Sequence, residues 1–351
     1  MQTFKVDSQT PKIIALLGAS ASGKSALALE LAKVHNGAIF SLDSLSIYKY
    51  INIASAKPTQ AELQEVKHYA IDVLEPDLPC NAMTFWNLLT SAFEETRAQG
   101  KKALFIVGGS SFYLKSMLEG LSPQPQMNVQ SRAQVQEKIH ALSAPYEFLA
   151  RVDNEFALMI KPNDTYRLQK ALEIYFATNL PPSAYFRENP KQKHPLLENL
   201  SLFVLSLPRD EIIKRIKART QKMLDSGLLE EVAFLAQNYP LDSQALRAIG
   251  IKECLEFLGY QSAQNLHTQN PQNMQNLQNA QSAQNMSNPK SAQFSQDFQK
   301  SPQNLQDLCA LISTHTSQLA KRQSTFNRTQ FGNAYFGSAS QIAKEIAQIL
   351  A

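Results

Sequence analysis

The residues best suited to chemistry stand together early in the chain, in the phrase Gly18-Ala19-Ser20-Ala21-Ser22-Gly23-Lys24-Ser25, which fits G-x-x-x-x-G-K-[S/T]. Backbone N–H groups from Ala19 to Ser25 would curl into an anion nest at the positive end of a helix, a site for a di- or triphosphate. Gly23 leaves room for the ligand, Lys24 serves as a mobile point charge along the phosphate oxygens, and the Ser25 hydroxyl enters the shell of a magnesium ion. A second candidate, Asp43, follows the apolar run AIFSL. A carboxylate at that place either orders magnesium through water or accepts a proton from a nucleophile approaching the bound phosphate compound. Its plainer task is to cap the segment that follows. Lys57 could reach an anion, and Gly108, Gly109, Ser110 and Ser111 form a second turn with N–H groups and hydroxyls to offer.

These residues need a scaffold that delivers them to one place. Ile13 to Leu17 reads as a buried strand ahead of the phosphate loop, with an Ala/Leu-rich helix behind it. Ala38–Leu42, His68–Leu74, the phrase KKALFIVGG and Ser201–Leu207 supply four more strands, and Met83–Gln99 reads as a helix closed by Gly100. Strands alternating with helices predict an α/β fold with a mostly parallel sheet and ligands at the carboxyl ends of its strands. The phosphate loop, Asp43 and the Gly108–Ser111 turn all fall at such ends.

Between Leu121 and Pro195 the strand-like runs vanish, and Ser131–Leu142, Pro145–Ile160 and Asp164–Thr178 read as helices of an insertion. Amphipathic helices follow over Asp210–Gln237, with a restart at Gly227, and over Leu246–Leu258; a last helix runs from Leu305 to Arg322 into STFNRTQF and a short C-terminal helix. The expected division is a core over residues 1–122, a helical insertion over 123–195, core again over 196–260, an Asn/Gln-rich low-complexity insert over 261–304, and a helical remainder of the core over 305–351.

With 351 residues, of which 44% are hydrophobic, the chain can bury a large core. A net charge of +4 is compatible with a polyanionic partner and does not identify one. No stretch approaches a membrane span, and no leader precedes the core, so a cytoplasmic protein is expected. Cys80, Cys254 and Cys309 are odd in number and form no C-x-x-C pair, which supports neither a disulfide framework nor a zinc site. Basic residues recur outside the first strands: Arg167 and Lys170; Lys214, Arg215, Lys217 and Arg219; Arg247 and Lys252; Lys321, Arg322 and Arg328. Together they could frame a groove for a nucleic-acid backbone, with Phe112, Tyr113 and Tyr166 as stacking surfaces. On these residues alone a small-molecule kinase, with ATP in the loop and Asp43 deprotonating a hydroxyl, fits the loop and Asp43 equally well.

Longer phrases narrow the choice. GASASGKS, DSLSIYKYINIASAKPT, VGGSSFYLKSMLEGLSP, KPNDTYRLQKALEIY, MLDSGLLEEV, RAIGIKE and LAKRQSTFNR, in this order, resemble the tRNA dimethylallyltransferase family, also called tRNA isopentenyltransferase. The resemblance implies a phosphate-loop core with a helical insertion that grips the anticodon stem-loop of tRNA. It implies magnesium-dependent transfer of a dimethylallyl group from dimethylallyl diphosphate to N6 of the adenosine just 3′ of the anticodon; a monomer is expected. It assigns Asp43 as the base, Lys24, Ser25 and Arg219 to the diphosphate with Ser25 as metal ligand, and Asp43, Ser44, Leu45 and Ser46 to the flipped nucleotide. Ser110, Arg132, the run Tyr166, Arg167, Leu168, Gln169 and Lys170, and the run Arg247, Ala248, Ile249, Gly250, Ile251 and Lys252 match its tRNA-contacting positions. Ser46 stands where the family usually has Gln, which shortens its reach; GGSSFY replaces GGTGLY, and TFNR lacks the usual Trp or Leu before Arg328.

Overall fold

The computed structural model describes residues 10–260 and 302–351. The Asn/Gln-rich insert expected over 261–304 therefore lies, up to residue 301, outside the described residues. Strands β1 (Lys12–Gly18), β2 (Gly37–Ser41), β3 (His68–Tyr69), β4 (Ala103–Gly108), β5 (Ser201–Leu205) and β6 (Tyr335–Gly337) form one six-stranded sheet in the order β3-β2-β4-β1-β5-β6. All of its pairings are parallel. β1 lies at its centre, with Leu17 opposite Gly108 of β4 and Gly18 opposite Leu205 of β5, so the phosphate loop leaves from the middle of the carboxyl edge.

Burial on both faces explains why β1 and β4 read as continuous apolar runs rather than alternating ones. Ile14 and Leu16 pack with Phe105, Val107, Phe203 and Leu205. Against this surface lie Leu27, Ala28 and Leu31 of α1 (Lys24–Val34), with Ile342 and Ile346 of the C-terminal helix Ala339–Leu350. Each large side chain fully removed from water contributes about 2 kcal/mol, so this layer fixes the sheet edge on which the loops depend.

Several boundaries differ from expectation for local reasons. The third strand ends at Tyr69 because Ala70 and Asp72 take left-handed backbone conformations, with φ of 60° and 56°, and only an isolated bridge from Tyr48 to Leu74 follows. Pro145–Ile160 is two helices, Pro145–Val152 and Asn154–Met159, broken at Asp153. That buried carboxylate accepts from the backbone N–H of Phe156 at 2.9 Å and of Ser183 at 2.6 Å, a better use of it than a place inside a helix. The strand Tyr335–Gly337 was not expected, since three residues carry no readable alternation.

The chain forms two compact units: Lys115–Glu198 is one, and the segments before and after it together make the other. Lys115–Glu198 has its own core of Leu149, Ala157, Ile160, Leu168, Ala171 and Leu172, and its entering and leaving segments meet at a bridge between Leu121 and Gln192. Among the described residues no helix is long and apolar enough to cross a membrane.

One backbone approach shapes the carboxyl edge. A Cβ at Gly108 would stand 1.9 Å from the carbonyl oxygen of Leu42, where the ends of β2 and β4 converge. We therefore expect Gly108→Ala to lower stability by about 3 kcal/mol in denaturant unfolding, because the obstacle is backbone with no rotamer to yield. A loss below about 0.5 kcal/mol would mean that the two strand ends separate freely.

Candidate active site

At the exit of β1 the chain folds into the expected nest. Ala21 and Gly23 have left-handed φ values of 62° and 92°, and Gly23 stands immediately ahead of α1. Alternating hands turn successive N–H groups toward one point, and the helix dipole adds its positive end there. Not every N–H is available. That of Ser22 is used by the Ala19 carbonyl at 3.1 Å, and that of Ser20 by the Gln323 side chain at 2.8 Å. The N–H groups of Ala21, Gly23, Lys24 and Ser25 remain for an anion.

Lys24 is half-buried, and its ammonium donates to the Ala19 carbonyl at 3.3 Å. Burial pushes its pKa down to about 8; Asp43 pulls it back up and Arg219 pushes it further down. The opposing effects show that Lys24, Asp43 and Arg219 share one electrostatic environment. Burial also lowers the Arg219 guanidinium below its ordinary value, against the attraction of Asp43.

Arg219 lies on the helix Arg209–Asp225, whose buried stripe is Ile212, Ile216 and Thr220. Arg215 and Arg219, four residues apart, project from the same flank. The Arg215 guanidinium donates to the Ser22 carbonyl at 3.5 Å and Arg219 to the Ser55 carbonyl at 3.4 Å. The loop bearing Ser55 is held by Glu231 of the helix Leu228–Asn238, whose carboxylate accepts from the N–H groups of Asn52, Ile53 and Ala54 at 2.7, 2.8 and 2.9 Å.

Asp43 does serve as a local cap: Oδ1 accepts from the N–H groups of Leu45 at 2.8 Å and Ser46 at 3.1 Å. Among the described residues its second carboxylate oxygen has no hydrogen-bond partner, so the capping role and a chemical role coexist. Ser110 joins from the neighbouring turn, its hydroxyl accepting from the Ser44 N–H at 3.1 Å.

Two cavities meet at these residues. The smaller, about 90 Å³, includes Lys24, Ser25, Ser41, Ser46 and Gly108 in its lining. The larger, about 380 Å³, includes Ser44, Leu45, Ser110, Phe112, Ile249 and Gly250, with apolar walls from Ile216, Met223, Leu228, Ile312 and Leu319. Asp43, Ser55 and Arg219 line both. A carboxylate and a cation thus stand at the junction between a phosphate-binding side and a side wide and apolar enough for an organic group.

The remaining expected site residues are distributed differently. Ser46 is buried with its hydroxyl 2.9 Å from that of Ser41, on the side of the smaller cavity and away from Ser44 and Leu45. Ala248 lines the larger cavity, whereas Arg247 and Lys252 are exposed and Ile251 is fully buried. Arg132, on the helix Val129–His140, and Tyr166 to Lys170, on the helix Thr165–Thr178, belong to the helical unit. There Arg132, Tyr166, Arg167 and Gln169 are exposed, Lys170 pairs with Glu173 at 2.7 Å, and Leu168 turns into the core.

Lys57 needs correction as a possible anion ligand. Its side chain is 6% exposed, and its ammonium donates to the Tyr48 carbonyl at 2.6 Å, Asn52 Oδ1 at 3.0 Å and Asp72 Oδ1 at 2.6 Å. All three of its donors are spent within the chain. Arg215, Ser55, Glu231 and Gln323 were not anticipated here. Only Arg215 carried a signal, its spacing of four from Arg219.

A parallel sheet that delivers a phosphate loop, a carboxylate and an arginine to one carboxyl-edge cavity defines a phosphate-loop protein of the α/β class. Comparison with known proteins then places it: the family model described as IPP transferase matches residues 46–330, and the chain belongs to that family. It is 45% identical over 339 residues to a tRNA dimethylallyltransferase of Helicobacter pylori, covering 96% of this chain and 94% of that one. Its identity to the tRNA dimethylallyltransferase of Wolinella succinogenes is 39%, over 97% and 99% of the two chains. Among solved structures it is similar to a tRNA isopentenylpyrophosphate transferase from Staphylococcus epidermidis, with a TM-score of 0.58, 26% identity and coverage of 97% and 98%. A eukaryotic dimethylallyltransferase acting on tRNA shares the fold at a TM-score of 0.67 and 22% identity, over 94% of this chain and 74% of that one.

Proposed function

We propose that this protein transfers a dimethylallyl group from dimethylallyl diphosphate to N6 of the adenosine just 3′ of the anticodon in tRNA, releasing diphosphate. The observation that carries this reading is the placement of Asp43 and Arg219 on both cavities, between a phosphate nest and an apolar chamber. The N–H groups of Ala21, Gly23, Lys24 and Ser25, with the Lys24 and Arg219 side chains, hold the diphosphate; the larger chamber takes the allylic chain and an adenine turned out of its stack. The amine lone pair then forms a bond to the terminal allylic carbon as the carbon–oxygen bond breaks and its electrons leave with the diphosphate. The proton lost by N6 goes to the Asp43 carboxylate. Lys24, Arg219 and the nest face the charge growing on the leaving group, where fixed donors and cations act most strongly.

The residues fit a magnesium ion held chiefly through phosphate oxygens and water. Ser25 is exposed and offers a hydroxyl, Asp43 offers a carboxylate oxygen, and among the described residues neither of these atoms has a partner and no cluster of three or more His, Cys, Asp or Glu competes for a metal. When bound, magnesium supplies further neutralisation of the leaving diphosphate. On this reading the protein works as a monomer in the cytoplasm, where tRNA is found.

The decisive assay incubates the protein with magnesium, dimethylallyl diphosphate and unmodified tRNA, then weighs the nucleosides. A mass gain of one dimethylallyl group on that adenosine is expected; phosphate transfer from ATP to a small molecule, without it, would overturn the reading. The helical unit has its own test. Arg167 is exposed, and among the described residues its guanidinium pairs with its capping neighbour Asp164 alone, at 3.5 Å. Arg167→Ala should weaken tRNA binding about tenfold and reduce the slope of log Kd against log salt by about one, leaving the KM for dimethylallyl diphosphate unchanged. An unchanged salt slope would remove Arg167 from the RNA contact.

A further inference from the structure

Gln323 lies on the helix Pro302–Gln330, far along the chain from the phosphate loop, yet its side chain touches both turns that frame the site. Its Oε1 accepts from the backbone N–H of Ser20 at 2.8 Å and from the Ser20 hydroxyl at 3.2 Å. Its Nε2 donates to the carbonyl of Gly109 at 3.0 Å. The partners dictate this orientation, because an N–H can only donate and a carbonyl can only accept. A carboxamide is the side chain that offers both functions on one rigid plane. The neighbouring backbone is cut to admit it: a Cβ at Gly109 would stand 2.5 Å from Nε2, and its three nearest atoms would all belong to Gln323.

We propose that Gln323 is a positioning residue for the transfer reaction, acting as a crosspiece between the phosphate loop and the Gly108–Ser111 turn. By taking the Ser20 N–H out of the nest it confines the anion to the N–H groups from Ala21 onward. By holding Gly109 it fixes Ser110, whose hydroxyl in turn receives the N–H of Ser44 beside Asp43. Gln323, Ser20, Gly109 and Ser110 all line the larger cavity, so the crosspiece sets the distance between the leaving group and the carboxylate that accepts the proton. The inference rests on the proposed function for its reaction and stands apart from it for its effect on the anion nest.

Two substitutions separate positioning from filling. Gln323→Met keeps length and bulk but makes neither hydrogen bond, and Gln323→Glu keeps the acceptor but turns a second acceptor toward the Gly109 carbonyl and adds negative charge beside the nest. With thermal midpoints of the variants within a few degrees of wild type, Gln323→Met should lower kcat about tenfold at unchanged tRNA affinity. Gln323→Glu should in addition raise the KM for dimethylallyl diphosphate about tenfold near pH 8. Its activity relative to wild type should recover toward pH about 5.5, because a protonated carboxyl both accepts from Ser20 and donates to Gly109. Gly109→Ala, which displaces the amide, should reproduce the Gln323→Met kinetics. Binding of inorganic pyrophosphate with magnesium, measured by calorimetry on the same proteins, needs no turnover. Weaker binding in Gln323→Glu than in Gln323→Met supports the crosspiece even if no prenyl transfer is found, in which case only the reaction assignment fails. Wild-type kinetics and pyrophosphate affinity in Gln323→Met, or a Glu variant equal to Met at every pH, would overturn it.

Discussion

Asp43→Asn is expected to lower kcat by about a thousandfold while leaving tRNA affinity within about threefold of wild type, the range associated with loss of a general base. Asparagine is the informative replacement because its Oδ1 can still accept from the N–H groups of Leu45 and Ser46, at 2.8 and 3.1 Å in the native protein. The turn survives, and only the charge and basicity of the group are removed. Asp43→Ala would confound these by also deleting the cap, a further loss of about 1 kcal/mol in local stability. A second consequence separates a base from a bystander. Asp43 raises the pKa of Lys24 against the effects of burial and Arg219, so its neutralisation should leave Lys24 less readily protonated than in the wild type. The pH at which diphosphate affinity begins to fall should therefore move down in Asp43→Asn. Single-turnover rates and equilibrium binding on the same preparation test the first point. A parallel loss of tRNA binding and kcat would make Asp43 a binding contact, and a kcat within tenfold of wild type would remove it from the chemistry.

The parts of this site that were legible in the sequence are those whose function is written in contiguous residues. The phosphate loop needs left-handed turns and a helix start at fixed offsets, so Gly18 to Ser25 announce it locally, and the apolar runs of β1 and β4 announce the buried parallel sheet. Asp43 was readable because it follows a strand that the pattern places beside the loop. What escaped was built from single long-range contacts. Gln323 lies 303 residues from Ser20, and a glutamine on a helix ordinarily signals an exposed face. Glu231 stands in the first turn of its helix, where any carboxylate suits the helix dipole, and nothing in LLEEV indicated that it holds three N–H groups of a distant loop. Lys57 failed in the other direction, since a lysine beside a proline gave no hint that Tyr48, Asn52 and Asp72 would enclose it. The left-handed residues that end the third strand at Tyr69 were likewise silent, being Ala70 and Asp72 rather than glycine. Chemistry carried by a motif can be read along the chain, whereas its positioning depends on which side chains the fold brings alongside it.

Lys24 should give the diphosphate site a pH dependence of its own. Its pKa in the free protein is held down to about 8 from an ordinary 10.5, first by burial and then by Arg219. Below pH 8 the ammonium is charged and ready to meet the phosphate oxygens. Above it the free protein has lost that proton, and a bound diphosphate must recover it from solvent. Affinity for dimethylallyl diphosphate should thus be constant below about pH 8 and fall up to tenfold for each unit above it. Stability of the ligand-free protein follows the opposite sign. The unfolded chain binds the Lys24 proton more tightly than the native one, so stability should rise as pH increases from about 8 toward 10.5. Calorimetric titrations across this range would show both proton uptake and the break in affinity. The control is Lys24→Arg, which keeps a charge that does not titrate there. Titration of the ligand itself is common to both proteins and cancels in their difference, so the break near pH 8 should disappear in the arginine variant. Removing the charge altogether in Lys24→Met should lower kcat a hundredfold to about a thousandfold, as expected for loss of one preorganised group facing the departing diphosphate. A break that persists in Lys24→Arg, or a Lys24→Met enzyme within threefold of wild type, would move the leaving-group role to Arg219 and the nest alone.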